Sequence, residues 1–224
     1  QALRARPARW CAGAGCARGR GRGGIRTWAR VDVAGLGAGA RSRGAGVFSQ
    51  NRFCAAPVFV GRGHLARGEA TRGLRINAGN ANAGTGRRGI DAARACCAAA
   101  ARTLSCGEHE VLPFSTGVIM EPLPVDRIVA ALPQCKARLS PTGWDAAVRA
   151  IMTTDTVPKA ASRRVEIHGA AIPVTALAKG AGIAPPNLAP LLSFLPPASP
   201  RPPPPPACSA APPAPPPAPP LPAP

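Results

Sequence analysis

The chain has no tyrosine, and aromatic residues make up 4% of its 224 positions. Large side chains that bury much area each are therefore scarce, and a core must be assembled from Leu, Ile, Val and Ala. Acids are few as well: ten Asp and Glu stand against 28 Lys and Arg, a formal net charge of +18. Among those cations lysine is rare, with only Lys136, Lys159 and Lys179. Such excess of Arg, Ala, Gly and Pro is what a GC-rich coding sequence yields, so the charge has to be located before it is interpreted. No C-x-x-C pair occurs among the eight Cys, and His64, His109 and His168 are isolated, which argues against a structural zinc site. The chain has no apolar run of secretory type, and with it goes the usual setting of a disulfide framework. A run of about 18 apolar residues is also missing, so no membrane-spanning helix is expected. These absences predict an intracellular, soluble chain with reduced thiols.

The charge is uneven. Residues 1–44 hold ten Arg and a single acid, Asp32, with Gly and Arg interrupting any period of 2 or 3.6. The expectation is a disordered Arg/Gly-rich segment, suited to a transit peptide or to non-specific contact with RNA. The last stretch, residues 196–224, contains 17 Pro, each fixing its own φ and removing a donor, and is expected to be polyproline II or disordered. Between the tails the pattern is α+β. VFVGRGHL and GLRIN read as short strands, and EVLPFSTGVI as a longer one. Asp91 is placed to cap a helix DAARACCAAAARTL, and Asp145 a helix DAAVRAIM. PVDRIVAALP reads as a helix with Pro124 in its first turn and Pro133 at its end. RRVEIHGAAIPVTALA offers two strands about a turn at His168 and Gly169.

Several blocks in this middle region occur in a recognisable order. GVFSQNRFCAAPV, INAGNANAGTG, LPFSTGVIMEPLPVDRIVAALP, AIMTTDTVPKAASRRV and KGAGIAPPNLAP together resemble the N-terminal half of the ornithine acetyltransferase family, also called the bifunctional glutamate N-acetyltransferases. The resemblance covers residues 45–195. It implies an N-terminal half of a four-layer α/β/β/α sandwich and an acetyl transfer from N-acetylornithine, or from acetyl-CoA as substrate, to glutamate in arginine biosynthesis. No resident cofactor or metal is implied. Members of that family cut themselves between an Ala and a Thr, the freed Thr becomes the nucleophile, and two copies of each half assemble as a heterotetramer.

By the same resemblance Thr116 and Gly117 fall on the oxyanion-hole pair, and Thr153 and Lys179 on substrate contacts. Acyl transfer needs donors aimed at the developing oxyanion and groups that position the substrate. Read alone, S-T-G is a strand-ending turn and a Thr cluster is a helix cap. Asn77, Asn80 and Asn82 lie in a Gly/Asn turn to which no substrate is assigned. The departure falls at the junction: Ala189 matches the residue before the cleavage point, but Pro190 occupies the nucleophile position and has no hydroxyl. LPPASPRPPPPPACS then stands where the family's second half follows. The chain is accordingly expected to be inactive alone, with no heterotetramer. One rival reading is a non-enzymatic basic and Pro-rich nucleic-acid or scaffold protein; another is a faulty gene model of the normal enzyme. Localisation is expected to be mitochondrial or plastid in a eukaryote and cytoplasmic in a bacterium, the basic N-terminus tilting towards an organelle.

Overall fold

The computed structural model describes residues 16–26, 31–49, 51–167, 170–180 and 191–195. Ala189, Pro190 and His168 fall outside those ranges, as does the Pro-rich tail. The described residues form two sheets and a helical layer. Sheet A has the order β1 (Cys16–Gly21), β2 (Val33–Ala38), β3 (Gly73–Asn80), β4 (Val111–Val118). Its first two pairings are antiparallel and β3–β4 is parallel. Sheet B is an antiparallel set of β5 (Lys159–Ile167), β6 (Ala170–Lys179) and β7 (Leu192–Phe194).

A parallel pair needs a crossover, and α2 (Gly86–Leu104) supplies it between β3 and β4. With α1 (Ala56–Ala66) and α3 (Val125–Ala137) it covers one face of sheet A. Val60, Ala93, Cys97, Val111 and Leu132 fill that interface on one side, and Val33, Cys96, Ile128 and Cys135 on the other. The opposite face of sheet A shares a core with α4 (Trp144–Ala150) and sheet B, built from Leu36, Ile76, Trp144, Ile151, Leu177 and Phe194. Phe114 of β4 meets Phe194 of β7 edge to face at 4.8 Å, so the two sheets touch directly. Layers of helix, sheet and sheet follow, in the α+β class expected.

Several expectations require correction. The segment 1–44 is not wholly disordered: β1 and β2 lie within it and make half of sheet A. Its glycines read as breakers, but a Cβ on Gly19 would stand 1.9 Å from the carbonyl oxygen of Cys135. Glycine is there because α3 lies against the β1 backbone. VFVGRGHL is helical, not extended: α1 buries Ala56, Pro57, Val60, Gly61 and His64, a 3.6-residue spacing that outweighs its β-branched composition. Asp91 caps nothing, because α2 begins at Gly86 and Asp91 instead reaches Arg87 at 3.5 Å on the exposed face. Asp145 likewise lies inside the first turn of α4, with Gly143 at the N-cap. Pro133 does not end α3. The helix continues to Ala137, its last turn anchored by buried Cys135. The β5–β6 hairpin is formed, with Ile167 opposite Ala170.

Candidate active site

Thr116 ends the buried part of β4 and the exposed Gly117 follows it, where β3 and β4 leave regular register at Gly79 and Asn80. Gly117 has φ +137°, and a Cβ there would sit 2.3 Å from the carbonyl carbon of Gly79. Only glycine satisfies both constraints. The bulge facing it is held by side chains. Arg26 donates through Nε to the Gly79 carbonyl at 2.9 Å and through Nη2 to Glu121 at 2.5 Å. Asn80 accepts from the Asn82 N–H at 2.8 Å and donates to the Pro122 carbonyl at 3.0 Å, while Asn77 donates to the Asn80 carbonyl at 2.8 Å. The asparagine run is thus a buried brace under the β3–β4 corner.

Lys179 closes the cluster from sheet B. It ends β6, is 6% exposed, and donates through Nζ to Thr116 Oγ1 at 2.7 Å and to Thr153 Oγ1 at 2.8 Å. Three of the positions singled out in the sequence therefore meet at one ammonium group, although 26 and 63 residues separate Lys179 from its two partners. A hydroxyl that accepts from Lys179 keeps its own O–H to donate. At Thr116 that donor lies beside the Gly117 backbone, the arrangement an oxyanion requires. Burial lowers the Lys179 pKa from its ordinary 10.5; the nearby Asp155 carboxylate opposes that shift and Lys159 adds to it.

Asp155 was not foreseen. Its side chain is 1% exposed and accepts from Lys159 Nζ at 2.7 Å, from the Gly180 N–H at 3.0 Å and from the Thr153 N–H at 3.3 Å. One carboxylate so ties the loop bearing Thr153 to the end of the strand bearing Lys179. Burial alone pushes this carboxyl up, but the Lys159 bond and the two backbone donors together outweigh it and hold the pKa below 3.8. A signal existed: an acid within T-T-D-T, in a chain with ten acids, is conspicuous. Ser193, the hydroxyl nearest Pro190 in sequence, sits exposed on β7 opposite Ala178. Among the described residues no group of three or more His, Cys, Asp or Glu could hold a metal ion, and no helix is long and apolar enough to cross a membrane.

This frame is that of the ornithine acetyltransferase class of α+β proteins. The chain belongs to the ArgJ family, whose sequence profile matches residues 19–197 and so extends past the expected boundary at residue 45 into β1. It is 49% identical over 173 residues to the arginine biosynthesis bifunctional protein ArgJ of Neisseria meningitidis serogroup A, covering 77% of this chain and 42% of that protein. The serogroup B protein matches to the same extent. The chain thus spans 42% of the length of these curated relatives. Among solved structures, the arginine biosynthesis bifunctional protein of Bacillus halodurans aligns at 32% identity with a TM-score of 0.72, over 78% of this chain and 91% of that one. The ornithine acetyltransferase of Mycobacterium tuberculosis, solved with ornithine, aligns at 32% identity with a TM-score of 0.67, over 78% of this chain and 93% of that one.

Proposed function

We propose that residues 16–195 form the substrate-holding half of an arginine-biosynthesis acetyltransferase, one that moves acetyl from N-acetylornithine or acetyl-CoA to glutamate. The observation that carries this reading is the bridge from Lys179 to Thr116 and Thr153. Lys179 and Thr153 orient the amino-acid substrate, and Thr116 with Gly117 receives the carbonyl oxygen as negative charge develops. Withdrawing one such donor typically raises the barrier by ~3 kcal/mol. Leu192, two positions after Pro190 in sequence, is registered against Lys179, consistent with a nucleophile position next to this cluster in an active relative.

The chemical step itself needs a hydroxyl that attacks the acetyl donor, holds the acetyl group as an ester and passes it to the glutamate amine. Proline at 190 supplies neither that hydroxyl nor the N-terminal amine that would act as its base. The chain alone is therefore a binding half without turnover. Acetyl-CoA enters as a substrate, and no heterotetramer of cleaved halves forms from a chain that does not cleave. The competing basic-arm reading loses Cys16–Gly21 and Val33–Ala38 to sheet A.

With three lysines in the chain, chemical acylation followed by peptide mass spectrometry reads each one separately. Glutamate or N-acetylornithine should slow acylation at Lys179 and leave the exposed Lys136 unaffected. Equal rates at Lys179 with and without these ligands would count against the assignment.

A further inference from the structure

Gly117, the second member of the candidate oxyanion pair, packs on the peptide that joins Gly79 to Asn80. A Cβ on Gly117 would stand 2.3 Å from the carbonyl carbon of Gly79 and 2.5 Å from the nitrogen of Asn80, so its α-carbon lies directly against that peptide. The same peptide sits where the β3–β4 register breaks, and Gly79 has φ +106°. A glycine at a break in the ladder can turn its peptide at little cost, and such a turn would move Gly117 with it. The plane of this one peptide therefore helps to set where the oxyanion pair points.

Arg26 is placed to hold it. Its Nε donates to the Gly79 carbonyl at 2.9 Å, a charge-assisted bond to the peptide itself, and its Cγ lies 3.0 Å from where a Gly79 Cβ would be. Nη2 of the same guanidinium pairs with Glu121 at 2.5 Å, four residues beyond Gly117. One planar group thus clasps both sides of the corner, the end of β3 and the segment leaving β4. Arg26 is fixed in turn by its own loop. The Asp32 carboxylate, 2% exposed just before β2, accepts from the Gly23 and Ile25 N–H groups at 2.6 Å each, and the buried Ile25 anchors the backbone one residue before Arg26. We propose that Arg26 is a positioning residue for the Thr116 and Gly117 pair, acting through the Gly79 carbonyl. Its meaning for catalysis rests on the acetyltransferase reading; its hold on the Gly79 peptide does not.

The test uses the full chain and N-acetylornithine isotopically labelled at its acetyl carbonyl. A carbonyl that accepts from the oxyanion pair is polarised, and its carbon resonance should move downfield on binding to the natural chain. Arg26→Met keeps the stem over Gly79 but removes both donors. There the ligand should still slow acylation of Lys179, while most of the downfield shift is lost. Arg26→Lys returns a donor towards Gly79 and should restore the shift. An undiminished shift in Arg26→Met would overturn the proposal. Loss of the shift and of Lys179 protection together, with no rescue by Arg26→Lys, would overturn it too, since that marks a merely structural role. Absence of both signals in the natural chain counts instead against the acetyltransferase reading, and the free chains then decide the positioning claim: the Gly117 amide resonance should move in Arg26→Met and return in Arg26→Lys, and an unmoved resonance contradicts it. A measurement that needs no variant is the Arg26 Nε–H resonance of the natural chain, which should exchange slowly and couple through the hydrogen bond to the Gly79 carbonyl carbon. Fast exchange without that coupling would refute the hold.

Discussion

Lys179 shows why single residues in this chain carry so much. A lysine 6% exposed must find acceptors, and in an acid-poor chain two threonine hydroxyls serve, with Asp155 contributing charge from behind. Because burial depresses its pKa, acylation of Lys179 should reach half-maximal rate below pH 10.5, and Asp155→Asn should move that midpoint lower still. A midpoint at or above the ordinary lysine value would refute the burial argument. Gly117 is constrained by both torsion and space. Gly117→Ala is expected to cost about 3 kcal/mol or more, read as a lowered urea midpoint. His64 makes a third test. Its Nδ1 donates to the Val111 carbonyl at 2.8 Å, and burial holds its pKa below 6.5 although that bond opposes the shift. The unfolded state then takes up the proton first, so stability should fall as pH drops through 6.5 towards the folded value. A His64→Gln chain should lose that part of the pH dependence.

At the scale of elements, the sequence exposed some of the fold and concealed the rest for physical reasons. β3, β4 and the β5–β6 hairpin were visible because β-branched and apolar residues cluster there between turn residues. The Arg/Gly strands β1 and β2 were not, since glycine that reads as a breaker is demanded by the close approach of α3 at Gly19. In α1 the valines and Phe59 suggest a strand locally, and only the spacing of the buried positions marks the helix. In the site, Thr116, Gly117, Thr153 and Lys179 were legible only through resemblance, as nothing in periodicity brings residues 63 apart together. Asp155 went unread because T-T-D-T looks like a helix-ending turn until its three donors are seen. Asp155→Asn should weaken the Lys159 pair and free one end of the loop-to-strand tie. A loss of about 2 kcal/mol is expected, with larger amide-exchange rates at Gly180 than in the helical layer. Unchanged exchange at Gly180 would show that the strand end is fixed by other contacts.

For the whole molecule, the helix–sheet–sheet frame covers 91% and 93% of the two solved chains it resembles but 42% of the curated relatives. Val118, Ile119 and Met120 follow Gly117 as a run of exposed apolar residues, 43%, 57% and 67% accessible, beside the candidate active site. On the proposed reading the Lys179 cluster is a half-site charged for substrate, and Pro190 lacks the hydroxyl that the reaction needs. Acetyl transfer from N-acetylornithine to glutamate measures this most directly, with the purified chain alone and again after co-expression with the C-terminal half of the Neisseria meningitidis relative. The prediction is no transfer by the chain alone, and transfer in the co-expressed complex that Lys179→Met abolishes. Transfer by the chain alone, or an active complex indifferent to Lys179→Met, would contradict it.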